Sequence, residues 1–461
     1  MKRQWFGTDG IRGVFGKEPM TPEFIFHCGQ AAAEFFREKE KKNAPEFIIG
    51  RDTRASGLIL EQALAAGIEA GGGKVACIGV LPTAAVAIVT KERGAAAGVM
   101  ISASHNPHED NGVKFFGADG FKLNDAAEFQ IEQKLDSRLA SLSGMTGSDV
   151  FDKVNIPLNF EAESNAKEIY QKTLLAGLSQ NFSLAGLTIV VDSANGAAWQ
   201  TTPEFLRAIG AEVIALAATP DGQNINLNCG SLHTETLQKK IKEIGRGAIG
   251  LAHDGDADRL IMADENGEVL DGDELMAIVA TDWLKKKKLA QNTLIATSMS
   301  NLGLDEALKR NGGQVLRTDV GDRYVLEAMR SRHLNMGGEQ SGHMLFLDYC
   351  PTGDGLLAAL QVLQIMVEKR APLKELRRVM RRYPQYLVNV DVREKPPLDS
   401  LPSVRQAILE AERQLGADGR ILLRYSGTEN KARLLIEAKE ASTLPMVAET
   451  ILRPLRETIG I

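Results

Sequence analysis

The 461-residue chain is too long for one ordinary domain and points to about three or four, with 44% hydrophobic residues and 44 glycines, enough to fill several cores. Lysine plus arginine number 54 against 60 aspartate plus glutamate, and the net charge of −6 excludes a general attraction to nucleic acid or acidic membranes, so any anion site must be local. No stretch reaches the roughly 18 apolar residues that span a bilayer, and the opening MKRQWFGTDG has no apolar signal core. Cys28, Cys77, Cys229 and Cys350 lack CxxC spacing. The expectation is a soluble cytoplasmic protein with reduced thiols.

In chain order, an apolar run at 46–50 precedes a helical pattern at 56–70, and the small apolar run at 94–100 reads as a buried strand ending in ISASHNP. A run at 187–191 precedes a helix at 202–209, and one at 294–297 precedes a helix at 304–310. The runs at 46, 187 and 294 end in the polar turns GRDTRASG, DSANGAA and SMSNLG. This alternation predicts an α/β fold with parallel strands, whose ligands sit beyond the strands' carboxyl ends. Three weakly similar units in tandem point to an internal repeat. The C-terminal part differs: YLVNVDVRE, a proline-containing loop, a helix at 403–415 and RILLRYSGTENKARLLIEAKE predict a small α+β domain with a mainly antiparallel sheet. The expected domains are 1–154, 155–255, 256–372 and 373–461.

LAHDGDADRLIMADENGEVLDGD, residues 251–273, carries Asp254, Asp256 and Asp258 on alternate positions, so in an extended turn their carboxylates can converge on one hard cation such as Mg²⁺. The following LIMADENGEVL reads as a hairpin around Asn266-Gly267. An acidic solvated loop is the rival reading. An EF-hand fails, because the sixth position counted from Asp254 is Arg259 rather than glycine.

Three carboxylates leave a divalent ion with a net charge of about −1, so its further ligand suits an oxygen to be activated, such as a phosphoryl oxygen. Ser102 or Ser104 can carry that phosphoryl group, with Lys114 and Arg259 offsetting its charge of about −1.5 to −2. A plain Ser/Asx turn ending at Pro107 is the alternative for SASHNP. GGEQSGH, residues 337–343, places Glu339, Ser341 and His343 on alternate positions of a loop, where they can face one way and grip neighbouring hydroxyls. RYSGTEN, residues 424–430, joins Arg424 to a Ser426-Gly427-Thr428 turn that can cradle a dianion, with Arg433 nearby.

FGTDGIRG, SASHNP, DGDADR, GEQSGH and RYSGTEN resemble the motifs of the α-D-phosphohexomutases, in that family's order and approximate spacing over essentially the whole chain. The resemblance implies four domains around a central cleft: three related α/β domains and a smaller C-terminal phosphate-binding one. It implies that Ser104, directly before His105, is the phosphoserine, with Ser102 its neighbour. Asp254, Asp256, Asp258 and the phosphoserine would hold Mg²⁺, and Glu339 and Ser341 the sugar hydroxyls. Arg424, Ser426, Gly427, Thr428 and Arg433 would bind the substrate's existing phosphate, while Arg12, Lys114 and Arg259 line the active site. Lys114 and His343 are the candidates for general base.

The implied reaction carries the Ser104 phosphoryl group to a hexosamine 6-phosphate, giving glucosamine 1,6-bisphosphate and then the 1-phosphate, a precursor of UDP-N-acetylglucosamine and the cell wall. FGTDGIRG and GEQSGH resemble the glucosamine branch, whereas mannose- and glucose-specific relatives vary the second loop. In TDVGDRYV, Asp322 stands where those relatives tend to carry histidine, and a carboxylate there could favour an ammonium-bearing sugar. Two departures stand out: Asn430 where the family often has proline after SGTE, and Ala257 in place of a glycine in DGDGDR. A mannose- or glucose-phosphate mutase, a metal-dependent sugar phosphatase and a non-catalytic sugar-phosphate binder are the alternatives. No nucleic acid or membrane partner is expected, and the protein is a monomer or homodimer.

Overall fold

The apolar runs that precede polar turns become the central strands of three sheets. The computed structural model describes residues 3–40, 43–141, 165–426 and 429–461. The first repeat comprises β1 (Ile11–Val14), α1 (Pro22–Glu40), β2 (Glu46–Arg51), α2 (Ala55–Ala70), β3 (Lys74–Val80), α3 (Thr83–Arg93), β4 (Ala97–Ile101), β5 (Asp110–Gly117) and α4 (Asp125–Ser141). Its sheet order is β1-β5-β4-β2-β3, with β2 parallel to β3 and β4, and β5 antiparallel to β4 and β1. All five residues of β4 are buried, as expected of a strand covered on both faces. Phe36 of α1 meets Phe47 of β2 edge to face at 5.4 Å, and burying each such ring contributes roughly 1.5–3 kcal/mol.

The second repeat holds α5 (Ala166–Ala176), β6 (Thr188–Asp192), α6 (Thr201–Ala208), β7 (Glu212–Leu216), α7 (Glu235–Ile244), β8 (Ile249–Ala252), β9 (Ile261–Ala263) and β10 (Val269–Leu270), in the sheet order β10-β9-β8-β6-β7. The third contains α8 (Gly272–Lys285), β11 (Thr293–Thr297), α9 (Leu302–Arg310), β12 (Gln314–Thr318), α10 (Asp322–Ser331), β13 (Met336–Gly338), β14 (Met344–Phe346), α11 (Gly355–Lys369) and α12 (Leu373–Leu376), in the order β12-β11-β13-β14. The runs β3-β2-β4-β5, β7-β6-β8-β9 and β12-β11-β13-β14 share one arrangement. In each, a central strand has parallel neighbours on both sides and an antiparallel strand closes one flank. The internal repeat is thus present in topology.

The C-terminal part is β15 (Gln385–Asp391), α13 (Pro402–Leu415), β16 (Gly419–Tyr425), β17 (Lys431–Ala438) and α14 (Leu444–Ile459), with an antiparallel sheet in the order β15-β17-β16. Val404, Ala411, Leu434, Ile436, Val447 and Ile451 form its core.

Three expected boundaries need comment. The limit at 255/256 falls inside the second sheet, because the acidic turn returns as β9 and the hairpin at Asn266-Gly267 adds β10. The limit at 154/155 lies outside the described residues. The limit at 372/373 comes too early, since the Leu373 and Lys374 amides donate to the Glu265 carboxylate at 2.6 and 2.9 Å. The two compact units of the chain are Met1–Met299 with Gly312–Arg378, and Ser300–Asn311 with Val379–Ile461, so the second is not one continuous segment. All four cysteines are buried free thiols. Among the described residues no helix is long and apolar enough to cross a membrane.

Candidate active site

The loops singled out for the serine, the aspartates and the GEQSGH motif occupy one topological position. They are the connections β4–β5, β8–β9 and β13–β14, each leaving the carboxyl end of a parallel strand.

In the β4–β5 loop, the Asn106 amide donates to the Ala103 carbonyl at 3.1 Å, closing a tight turn that holds Ser104 at φ +51°. The Ser104 amide donates to Ser102 Oγ at 2.9 Å, and Ser102 donates in turn to Asp52 Oδ2 at 2.6 Å. Ser102 therefore supports the loop from beneath and faces a buried carboxylate. Ser104 Oγ donates to Asp254 Oδ2 at 2.6 Å and lies 3.3 Å from His105 Nδ1. Burial, with the Arg259 and Arg12 guanidinium groups, pushes the His105 pKa down to about 4, so this imidazole is neutral near pH 7.

The β8–β9 loop is a turn closed by the Ala257 amide on the Asp254 carbonyl at 3.0 Å, and it brings oxygens of Asp254, Asp256 and Asp258 within 4.8 Å of one another. Ala257 takes φ +58°, so the residue replacing glycine occupies the left-handed region all the same. Gly255 packs where a Cβ would meet the Ser104 carbonyl oxygen, and this close approach fits only glycine. Asp256 Oδ2 accepts from Thr83 Oγ1 at 2.7 Å and Lys114 Nζ at 2.9 Å, leaving Asp256 Oδ1 buried without a hydrogen-bond partner. Burial, then the charges of Asp258 and Asp256, raise the Asp254 pKa to about 7. Burial opposes ionisation of Asp258 as well, but His343 and Lys114 hold it well below the usual carboxylate range. Arg259 Nε stands 3.9 Å from both Asp254 and Asp258.

The β13–β14 connection, expected as a loop, is a β-turn with the Gly342 amide on the Glu339 carbonyl at 3.0 Å. Alternation therefore fails: His343 is buried, Glu339 half-buried and Ser341 exposed. His343 Nδ1 lies 3.5 Å from Asp258 Oδ1 and its Nε2 3.7 Å from Asp322 Oδ2. Burial works against the imidazolium, yet Asp258 and Asp322 outweigh it and raise the pKa to about 9. Lys114 is likewise desolvated, and Asp256, Asp9 and Asp258 nonetheless hold it above its ordinary value. Both candidate bases thus rest as cations. Glu339 Oε1 accepts the Gly321 amide at 3.0 Å, at the start of α10. Asp322, the first residue of α10, is ion-paired with Lys122, which also contacts Asp9 at 2.6 Å. Arg12 pairs with Asp9.

In the C-terminal unit, Arg424 of β16 and Arg433 of β17 are cross-strand partners, and burial and Arg433 lower the Arg424 pKa. Arg433 approaches Ser426 Oγ at 3.5 Å and donates to Glu429 at 2.8 Å, while Lys395 donates to the Ser426 carbonyl at 2.8 Å. Gly427 and Thr428 lie outside the described residues. Asp9, Asp52, Arg54, Thr83, Lys122, Asn226 and Lys395 escaped the sequence reading. Asp9 sits within FGTDGIRG, and Asp52 and Arg54 within the polar turn GRDTRASG, but Thr83, Lys122, Asn226 and Lys395 stand in segments with no local signal, and only folding gives them their partners.

Three α/β repeats carry these loops on one shared connection, and the antiparallel C-terminal unit stands apart from them in the chain. The phosphoglucomutase/phosphomannomutase domains match in order: α/β/α domain I over residues 3–140, domain II over 168–267, domain III over 271–383 and the C-terminal domain over 387–453. The chain belongs to this family. It is 48% identical to the phosphoglucosamine mutase of Anaeromyxobacter dehalogenans, over 100% of both chains. Among solved structures, it resembles a phosphoglucomutase/phosphomannomutase family protein from Burkholderia thailandensis, with a TM-score of 0.77 and 22% identity over 99% of each chain. It also resembles the Aspergillus fumigatus N-acetylphosphoglucosamine mutase solved in complex with GlcNAc-6P and magnesium, with a TM-score of 0.66 and 19% identity over 99% of this chain and 96% of the other.

Proposed function

We propose that the chain interconverts glucosamine 6-phosphate and glucosamine 1-phosphate through phosphoserine 104 and a 1,6-bisphosphate. The observation that carries this reading is the Ser104 hydroxyl 2.6 Å from Asp254, on a chain alike from end to end to a phosphoglucosamine mutase. In the forward direction the bond from Ser104 Oγ to phosphorus breaks as the sugar's free 1-hydroxyl oxygen bonds to that phosphorus, and in the net balance the hydroxyl's proton ends on Ser104 Oγ. After the bisphosphate turns over, its 6-phosphoryl group bonds to Ser104 Oγ as the bond to the sugar's 6-oxygen breaks, and the serine's proton passes in the net balance to that oxygen, releasing the 1-phosphate.

The donor set fits magnesium: three carboxylates converge, and the buried Asp256 Oδ1 lacks a partner that a hard cation would supply. Bound by Asp254, Asp256, Asp258 and the phosphoserine, the ion would polarise a phosphoryl oxygen and offset its charge. Lys114, Arg259 and Arg12 surround the serine and the aspartates with positive charge, which suits a transferring phosphoryl group. His343, held protonated, adds to it. Glu339, Ser341 and Asp322 take the sugar, and Arg424, Ser426, Gly427, Thr428 and Arg433 take the phosphate that is not being transferred. A hexosamine phosphate and magnesium are also what the Aspergillus protein holds.

The test combines mass and turnover. Intact-mass analysis after incubation with glucosamine 1,6-bisphosphate is expected to show one added phosphate, absent from Ser104→Ala, with mutase activity reduced roughly 10³-fold or more. Net release of orthophosphate from glucosamine 6-phosphate, without 1-phosphate, would instead make the protein a phosphatase.

A further inference from the structure

The carbonyl oxygens of Ser104 and Asn106 are each held twice. Arg54 Nη2, from the first repeat, donates to them at 3.3 and 2.6 Å. Asn226 Nδ2, from the second repeat, donates to the same two oxygens, at 2.9 Å each. An amide NH₂ has two hydrogens, and both are used on one loop. Asn226 is itself held at φ +59°, its backbone N–H on the Ala194 carbonyl at 2.9 Å. Gly255 closes the third side, where a Cβ would lie 2.9 Å from Asn226 Nδ2.

This grip acts on a strained residue. The left-handed conformation costs an L-residue roughly 1–2 kcal/mol, and it persists where surrounding contacts over-determine it. Rotation about the Ser104 backbone would swing Oγ away from Asp254, so whatever holds the carbonyl aims the hydroxyl.

We propose that Asn226 is a positioning residue, fastening the β4–β5 loop of the first repeat to the second and so directing Ser104 Oγ at the aspartates. The inference rests on Ser104 as the phosphoryl carrier. Arg54 shares the contact but also neutralises the buried Asp52, so its removal strands a charge in the interior and confounds the result. Asn226 bonds only neutral partners and separates the two effects.

The experiment compares Asn226→Ala, Asn226→Asp and Asn226→Gln with the wild type, in kinetics per folded molecule and in hydrogen exchange of the Ser104 amide. Asn226→Ala is expected to lower kcat roughly 10- to 100-fold with KM for glucosamine 6-phosphate within about twofold, because transfer geometry is lost and sugar binding is not. Asn226→Asp, which turns an acceptor toward two carbonyl oxygens, falls further, and Asn226→Gln recovers part of kcat. The Ser104 amide exchanges faster in the alanine variant. Unchanged kcat in both Asn226→Ala and Asn226→Asp overturns the assignment. A wild type that turns over no glucosamine phosphate removes the reaction proposed above, while amide exchange still reports whether Asn226 holds the loop, and unaltered exchange overturns that too.

Discussion

The β4–β5 and β8–β9 loops stand at the same connection of two repeats and do opposite electrostatic work. The first aims one buried hydroxyl, that of Ser104 at φ +51°, at Asp254, and satisfies its backbone through Ser102, Arg54 and Asn226. The second gathers three carboxylates around Ala257 at φ +58°, and balances them with Lys114, Arg259 and His343. Both loops thus put a non-glycine residue in the left-handed region, which reverses the chain sharply and turns side chains toward a common point. The third copy, β13–β14, uses Gly342 at φ +92° instead. The repeated topology decides where a functional loop stands, and the residues on it decide the chemistry.

That comparison breaks most readily at the carboxylates. Asp256→Asn keeps the shape but removes a charge, and is expected to weaken Mg²⁺ binding tenfold to a hundredfold or more by titration calorimetry; unaltered affinity would remove Asp256 from the ligand set. Gly342→Ala is expected to destabilise the first unit by about 2–3 kcal/mol in urea, since its φ and the Leu260 carbonyl leave no room for a Cβ. A smaller effect is expected at the sugar side. Asp322→Asn should lower the preference for glucosamine phosphate over glucose phosphate several-fold in kcat/KM, and an unchanged ratio would leave Asp322 only as a partner of Lys122 and His343. The smallest sharpens the comparison directly: Ala257→Gly should raise the urea midpoint by an amount worth up to about 1 kcal/mol at constant m-value. A loss of stability there would show that the turn does not strain its alanine.

Much of this was legible in the chain. The alternation of apolar runs with amphipathic stretches located β2, β6 and β11 and the helices after them, because a strand covered on both faces must read as a continuous apolar run. Asp254, Asp256 and Asp258 were visible as candidate ligands since they lie within five residues, and Asn266-Gly267 announced its hairpin through turn chemistry. The second-domain boundary was misplaced because a functional motif looks like an end, whereas the hydrogen-bond ladder continues through it to Leu270. The loop expected to present Glu339, Ser341 and His343 one way is a β-turn, and across it His343 is buried while Ser341 is exposed.

By itself the sequence determined which residues could do chemistry and the order of the elements that carry them, since composition, periodicity and turn residues are local properties. Only the tertiary structure decided that Ser104 meets Asp254 across 150 positions, that Lys114 joins Asp9 to Asp256, and that Asn226 reaches over to the serine loop. Those pairings depend on how separate sheets present their carboxyl-end loops to one another, and no local pattern encodes a distance between residues so far apart in the chain.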